Sequence, residues 1–269
     1  MAVTAFHFQT SFNEPPLPLA LFGTALALFL GFRTNAAYAR WWEARTLWGA
    51  LINASRSLAR VTVSLTNSGD ETSAKLREGV LLRQIAFAHA MRCQLREQAP
   101  RDEIVRIAGD TVAAEVGERR NQANALLEQI SGLFAAALAA GRMGQVQQLL
   151  VEQILTDVAN AEGGMERIKN TPLPNGFRFF PNLFVRIFCV LLPIALIETL
   201  GLATPFGSTL IGLIFLAALS IGEDLTNPFA NTVHDVPLSA MCRTIEIDLL
   251  QALGRSAPEP MKPIQGVMW

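Results

Sequence analysis

Three stretches of this chain, residues 17–32, 184–201 and 204–222, are long and apolar enough to dictate where it can fold. A helix needs roughly 20 mostly apolar residues to cross a bilayer. The first stretch, LPLALFGTALALFLGF, carries no charge and reaches that length only if flanking residues extend it and snorkel to the interface. The other two are joined by GLATP, which leaves room only for a tight helical hairpin. Buried core helices of a soluble protein remain an alternative, but charge placement argues for the membrane. Of the 22 Lys and Arg residues, none precedes Arg33, and all but Arg243, Arg255 and Lys262 lie between Arg33 and Arg186. Basic loops stay in the cytoplasm. The first span therefore runs from outside to inside, residues 33–183 are cytoplasmic, the 184–222 hairpin crosses and returns, and residues 223–254 lie inside again. The expected location is a cell inner membrane, multi-pass, with the bulk of the chain and its C-terminus cytoplasmic.

An N-terminus placed outside needs something to carry it there. MAVTAFHFQTSFNEPP has neither a basic n-region nor a continuous apolar h-region. It reads as the end of a helix followed by a loop, which implies a further membrane helix upstream; a short tail crossing unaided is the alternative.

Beyond Arg33 the pattern is helical throughout. From Asn35 to Leu65 only Gly49 weakens a helix, so the first span continues into the cytoplasm, with Trp41, Trp42 and Trp48 near the interface that favours amphipathic rings. Helices are predicted over 75–97 (with Thr72 or Ser73 as N-cap), 102–116, 118–139, 143–162 and 238–253. A Pro-rich tail follows over 255–269. No segment alternates with strand period, so the fold class is all-α, an integral membrane helical protein with a large cytoplasmic helical region. It reads as a single domain, residues 1–269.

Little in the sequence points to catalysis. His7, His89 and His234 are far apart, and P-loop, GxSxG and GxGxxG patterns are absent. His89 reads as a packed helix residue. Cys93, Cys189 and Cys242 are too widely spaced for a zinc site. No enzyme activity, metal or cofactor is expected, and a net charge of -1 gives no reason to expect nucleic acid. Glu223, Asp224 and Asp235 flank NPF and read either as a cation site or as a solvated helix end. Glu198 reads as interfacial, or as part of an ion pathway should it face a lumen.

Within the first span, Thr24, Leu28 and Phe32 recur at i, i+4 and i+8. The stripe can be a lipid-facing or packing surface. Repeated around an axis by several copies, it becomes a stack of apolar rings, a constriction that gates by dewetting.

FLGFRTNAAYARWWEARTLWGALI resembles the signature of the bestrophin family. So do TPLP at 171–174, LLPIAL, TPF at 204–206 and the segment EDLTNPFANTVHDVPLSAMCRTIEIDLL, in the same order over roughly residues 17–253. The resemblance implies a pentameric ion channel with four membrane helices per chain and a cytoplasmic vestibule. It places the pore neck on Thr24, Leu28 and Phe32, and through AGRMGQV the cytoplasmic aperture on Val146. Thr24 stands where relatives carry a bulky aliphatic, which makes the outer ring wetter. The animal calcium clasp is a run of acids, against Glu223 and Asp224 here. The implied function is passive permeation of small monovalent ions, cations slightly favoured over chloride, by a homopentamer in a lipid bilayer. A membrane-anchored helical scaffold or regulator that conducts nothing is the alternative.

Overall fold

A computed structural model describes residues 18–66 and 69–268. Leu17, the reading of residues 1–16 and Trp269 lie outside the described residues. Among the described residues there is no strand, only an isolated bridge between Ile264 and Val267. The helices are α1 (Leu19–Leu65), α2 (Glu71–Leu95), α3 (Arg101–Ala108), α4 (Asp110–Gly117), α5 (Gln122–Ala139), α6 (Gln145–Asn170), α7 (Gly176–Leu200), α8 (Thr204–Asp224) and α9 (Leu238–Ala252). They group into two compact units. One holds residues 18–42 and 172–227; the other holds 43–66, 69–171 and 228–268.

The first unit is largely apolar both in its core and on its surface. α1 packs on the α7–α8 hairpin through Leu26, Leu30, Val185, Phe188, Leu192 and Leu219. The Phe188 ring is the centre, 5.8 Å from Phe22 and 4.7 Å edge-on from Phe215. Gly23 lets α1 come close, since a Cβ there would stand 3.3 Å from that ring; small residues serve this purpose between membrane helices. At the hairpin the chain turns through Gly201–Ala203, with Gly201 at φ +51 and the Thr204 hydroxyl donating to the Gly201 carbonyl at 2.7 Å. Pro205 enters the first turn of α8, where its missing N–H leaves nothing unpaired. α1 and the α7–α8 hairpin are both long and apolar enough to span a bilayer.

The second unit is organised around α2, which packs against α3, α5, α6 and α9. Gln84 through Met91 are buried without interruption, among them His89. The core adds Trp48, Leu51 and Leu58 from α1, Ile104, Leu126 and Phe134. A polar link crosses it: Gln84 Nε2 donates to Ser55 Oγ at 3.0 Å, and Ser55 donates onward to the Leu51 carbonyl at 2.8 Å.

The expected helices are present, with corrections at their ends. The N-cap of α2 is Asp70, whose carboxylate accepts from Ser73 N at 3.1 Å, rather than Thr72 or Ser73. The helix predicted over 102–116 is two, because Gly109 adopts φ 90, ψ 165 between them. The next begins at Gln122, capped by Asn121, which accepts from Asn124 N at 3.0 Å. α6 runs on past Glu162 to Asn170 through Gly163 and Gly164. The Leu47 side chain packs where a Cβ on Gly164 would be, 2.8 Å away, so the glycine marks a close approach to α1 rather than a helix end.

Candidate functional site

α1 separates its residues cleanly by face. Leu26 and Leu30 are 3% and 4% exposed, buried against the hairpin. Leu28 and Phe32 are 60% and 70% exposed. Two residues of helix turn a side chain by about 160° the short way round, so the two sets lie on nearly opposite faces. Thr24 is also exposed, with its hydroxyl donating to the Ala20 carbonyl at 2.8 Å. That bond satisfies the donor internally and leaves the oxygen able to accept from water. The three residues singled out by their spacing thus lie on one exposed face, polar at its first position and apolar at the next two.

Val146 is the second residue of α6 and is 72% exposed. Leu149 and Leu150, at i+3 and i+4, are exposed beside it. The turn is fixed by Gln147, whose Oε1 accepts from Gly144 N at 2.7 Å. Val146 is therefore no core residue; it belongs to an uncovered apolar patch on an otherwise Gln-rich turn.

The apolar face of α1 ends at Arg33. This residue is only 3% exposed and donates from Nη1 to the Leu219 carbonyl at 3.3 Å. One turn on, Tyr38 stacks with Trp41 and Trp42 at 6.1 and 6.3 Å. Arg33 also lines a cavity of about 270 Å³ with Arg178, Glu223, Asn175 and Asn227. There Arg178 Nε stands 3.5 Å from Glu223.

The acidic residues around NPF do not form a cation site. Glu223 faces Arg178, while Asp235 accepts from Thr232 N and Oγ1 at 2.8 and 2.9 Å and closes its own loop. Among the described residues no group of three or more His, Cys, Asp or Glu side chains could hold a metal ion. Glu198 is exposed near the end of α7.

Two polar clusters in the second unit went unnoticed in the sequence. His89 is buried with Nδ1 3.7 Å from Glu103 and Nε2 3.3 Å from Glu246. Arg92 and Arg106 complete that network, each 2.7 Å from one of the two carboxylates. Desolvation works against ionisation of Glu246, yet its pairs with His89 and Arg106 hold the carboxyl down at about 2. Glu162 is the opposite case. It is 4% exposed and accepts from Asn121 Nδ2 at 3.0 Å, while Glu166, one turn away, accepts from the same nitrogen at 2.7 Å. Burial pushes Glu162 up to about 7; the Asn121 bond opposes the shift and Glu166 adds to it. The i, i+3 and i+4 spacings tying His89 to Arg92 and Glu162 to Glu166 were visible, but their partners come from distant helices.

A family model described as Bacterial/Fungal Bestrophin protein matches residues 1–251. The voltage-dependent anion channel-forming protein YneE of Escherichia coli is 38% identical over 235 residues, 87% of this chain and 75% of that protein. A voltage-dependent anion channel-forming protein of Mesorhizobium japonicum is 36% identical over 244 residues, 90% of this chain and 76% of that one. The crystal structure of a bacterial bestrophin homolog from Klebsiella pneumoniae matches with TM-score 0.89 and 31% identity, covering 95% of this chain and 93% of that chain.

Proposed function

The chain belongs to the bacterial/fungal bestrophin family, and from that premise we propose that it is an ion channel whose pore neck is built from Thr24, Leu28 and Phe32. The observation that carries this reading is the division of α1 into a buried face and an exposed one bearing the stripe. One helix encloses nothing. Five copies around an axis turn each stripe position into a ring, the wetter Thr24 ring outermost and the Leu28 and Phe32 rings forming an apolar constriction. Val146 forms the second narrowing, at the cytoplasmic end. The orientation follows from the distribution of Lys and Arg, with residues 43–171 on the cytoplasmic side of an inner membrane. The whole chain acts as one functional domain, and ions move passively, so no reaction chemistry is involved.

Neither the neck nor the aperture carries a formal charge, so these rings do not select ion sign by Coulomb attraction. The slight cation preference expected from the resemblance therefore has no residue behind it, and the E. coli and M. japonicum relatives are named as anion channels. The reversal potential across a KCl gradient assigns the sign. The function itself is tested by ion flux into liposomes holding the purified chain and its Phe32→Ala variant. Flux above that of empty vesicles, raised further when the Phe32 ring is removed, supports the channel. Absence of flux from a correctly assembled protein removes it, and unchanged flux in Phe32→Ala moves that residue to a packing role.

A further inference from the structure

The cavity beside Arg33 sits where all three helices of the first unit change character. α1 is uncharged up to Phe32 and meets its first cation at Arg33; α7 carries Arg178 in its first turn and Arg186 two turns on, and is uncharged from Ile187 to Ile197; α8 is apolar until Glu223. Phe177, Phe179 and Phe180 are exposed on the first turns of α7, and just past Arg33 on α1 stand Tyr38, Trp41 and Trp42, amphipathic rings of the kind that favour the edge of a bilayer. The cavity is thus at headgroup depth if these helices cross the membrane as proposed above, a reading on which this inference rests.

Its chemistry favours an anion. Two guanidinium groups and one carboxylate leave a surplus positive charge. Arg33 is almost completely buried yet makes a single hydrogen bond, to a carbonyl oxygen, among the described residues. A guanidinium has five N–H donors, and Arg33 is among the residues that line the cavity. Among the described residues the Arg178 side chain pairs with Glu223 at 3.5 Å, with the two side chains 80% and 45% exposed; such a pair is weak and easily exchanged. Arginine forks match phosphate oxygens, and basic pockets between membrane helices on the cytoplasmic side take lipid headgroups.

We propose that this cavity binds the phosphate of an anionic phospholipid of the inner leaflet, held between Arg33 and Arg178, with Glu223 as the competing internal anion. Lipid binding then exchanges one partner of Arg178 for another and ties the start of α7 to the end of the apolar face of α1.

The test uses the full chain in mild detergent, titrated with short-chain phosphatidylglycerol, phosphatidylcholine or inorganic phosphate, with bound lipid counted by native mass spectrometry. Phosphatidylglycerol is expected to be retained over phosphatidylcholine. Arg178→Gln, at an exposed position the fold does not depend on, should weaken retention roughly ten- to a hundredfold, the loss of one hydrogen bond between charged groups. Glu223→Gln should strengthen it, because the competitor is gone. Opposite signs at two facing residues are not produced by general attraction of acidic lipid to a basic surface. Equal retention of the two lipids, or the same retention in both variants as in the parent, overturns the proposal. Displacement of phosphatidylglycerol by equimolar inorganic phosphate overturns it as well, in favour of a free-anion site. Lipid counting needs no ion flux, so failure here leaves the channel reading standing, and absence of flux leaves this one standing.

Discussion

Glu162 is buried with less hydrogen bonding than an ionised carboxylate requires, and its fold-state proton affinity follows from that. Raised from the ordinary 4.5 to about 7, the group binds its proton more tightly in the folded than in the unfolded chain. Its favourable contribution is complete below about pH 4.5 and is lost as pH rises through 7, an effect of about 3 kcal/mol for a shift of this size. Glu103 and Glu246 have the opposite sign: both are depressed against the pull of desolvation, by Arg106 and Arg92 at Glu103 and by His89 and Arg106 at Glu246. Their contribution is present above about pH 4.5 and fades as pH falls below it, for Glu246 toward about 2. Thermal stability should therefore peak near pH 4.5–5 and decline as pH rises toward 7. Glu162→Gln should raise the melting temperature at pH 8 while leaving it nearly unchanged at pH 5; an equal pH slope in parent and variant would sink this account. Val146 offers a second measurement. Deleting a buried methyl group costs about 0.5–1.5 kcal/mol, but at 72% exposure Val146→Ala should cost less than about 0.5 kcal/mol. An aperture role adds a change in relative flux between small and large ions, and a large stability loss without that change would return Val146 to packing.

Among the elements, the break at Gly109 shows what periodicity misses. Ile104, Val112 and Val116 keep helical spacing straight through it, and one glycine inside a helix costs only about 1 kcal/mol, so a continuous helix is the natural reading. The decisive fact is conformational: φ 90, ψ 165 lies in a region open to almost no residue but glycine, and it costs others about 1–3 kcal/mol. Gly109→Ala should destabilise the α3–α4 corner by that amount in denaturant melts, and a neutral result would show that the corner can straighten into one helix. Asp70→Ala should cost about 1 kcal/mol through its lost cap bond to Ser73 N. The stripe on α1 was legible because a single helix obeys one period, and burial divides Thr24, Leu28 and Phe32 from Leu26 and Leu30 as that period requires. Long-range pairings were not legible in this way. Glu162 reads as a solvated charge on α6 until Asn121 arrives from the cap of α5, and Glu246 lies 157 positions beyond His89 in the sequence. The extension of α6 past Gly164 likewise depends on Leu47, far upstream.

For the whole molecule, exposed apolar side chains have two different explanations. Leu210, Leu213 and Ile214 on α8 face outward from helices long enough to span a bilayer, and lipid can cover them. Val146, Leu149 and Leu150 lie in the unit that carries most of the charge; on the reading proposed above that unit is away from lipid, and a second copy of the chain covers what the aperture does not use. The detergent-solubilised particle should accordingly be a ring, five chains on the reading proposed above, and a monomer by native mass under mild conditions counts against it. The ring also separates two explanations that exposure in one chain leaves alike, because pore-facing and lipid-facing side chains look the same without neighbours. Water reaches one and not the other. In a background lacking Cys189, the one native cysteine that is not buried, cysteines at Thr24, Leu28 and Phe32 should react with a charged, membrane-impermeant thiosulfonate, and modification should block flux. Cysteines at Leu26 and Leu30 should stay protected by packing against α7 and α8. A cysteine at Leu213, 58% exposed on α8, should stay protected by lipid. Reaction at Leu213 as fast as at Leu28 would mean that exposure alone controls access, and protection of Leu28 equal to that of Leu26 would close the proposed pathway; either result removes the stripe from the pore while the family assignment stands.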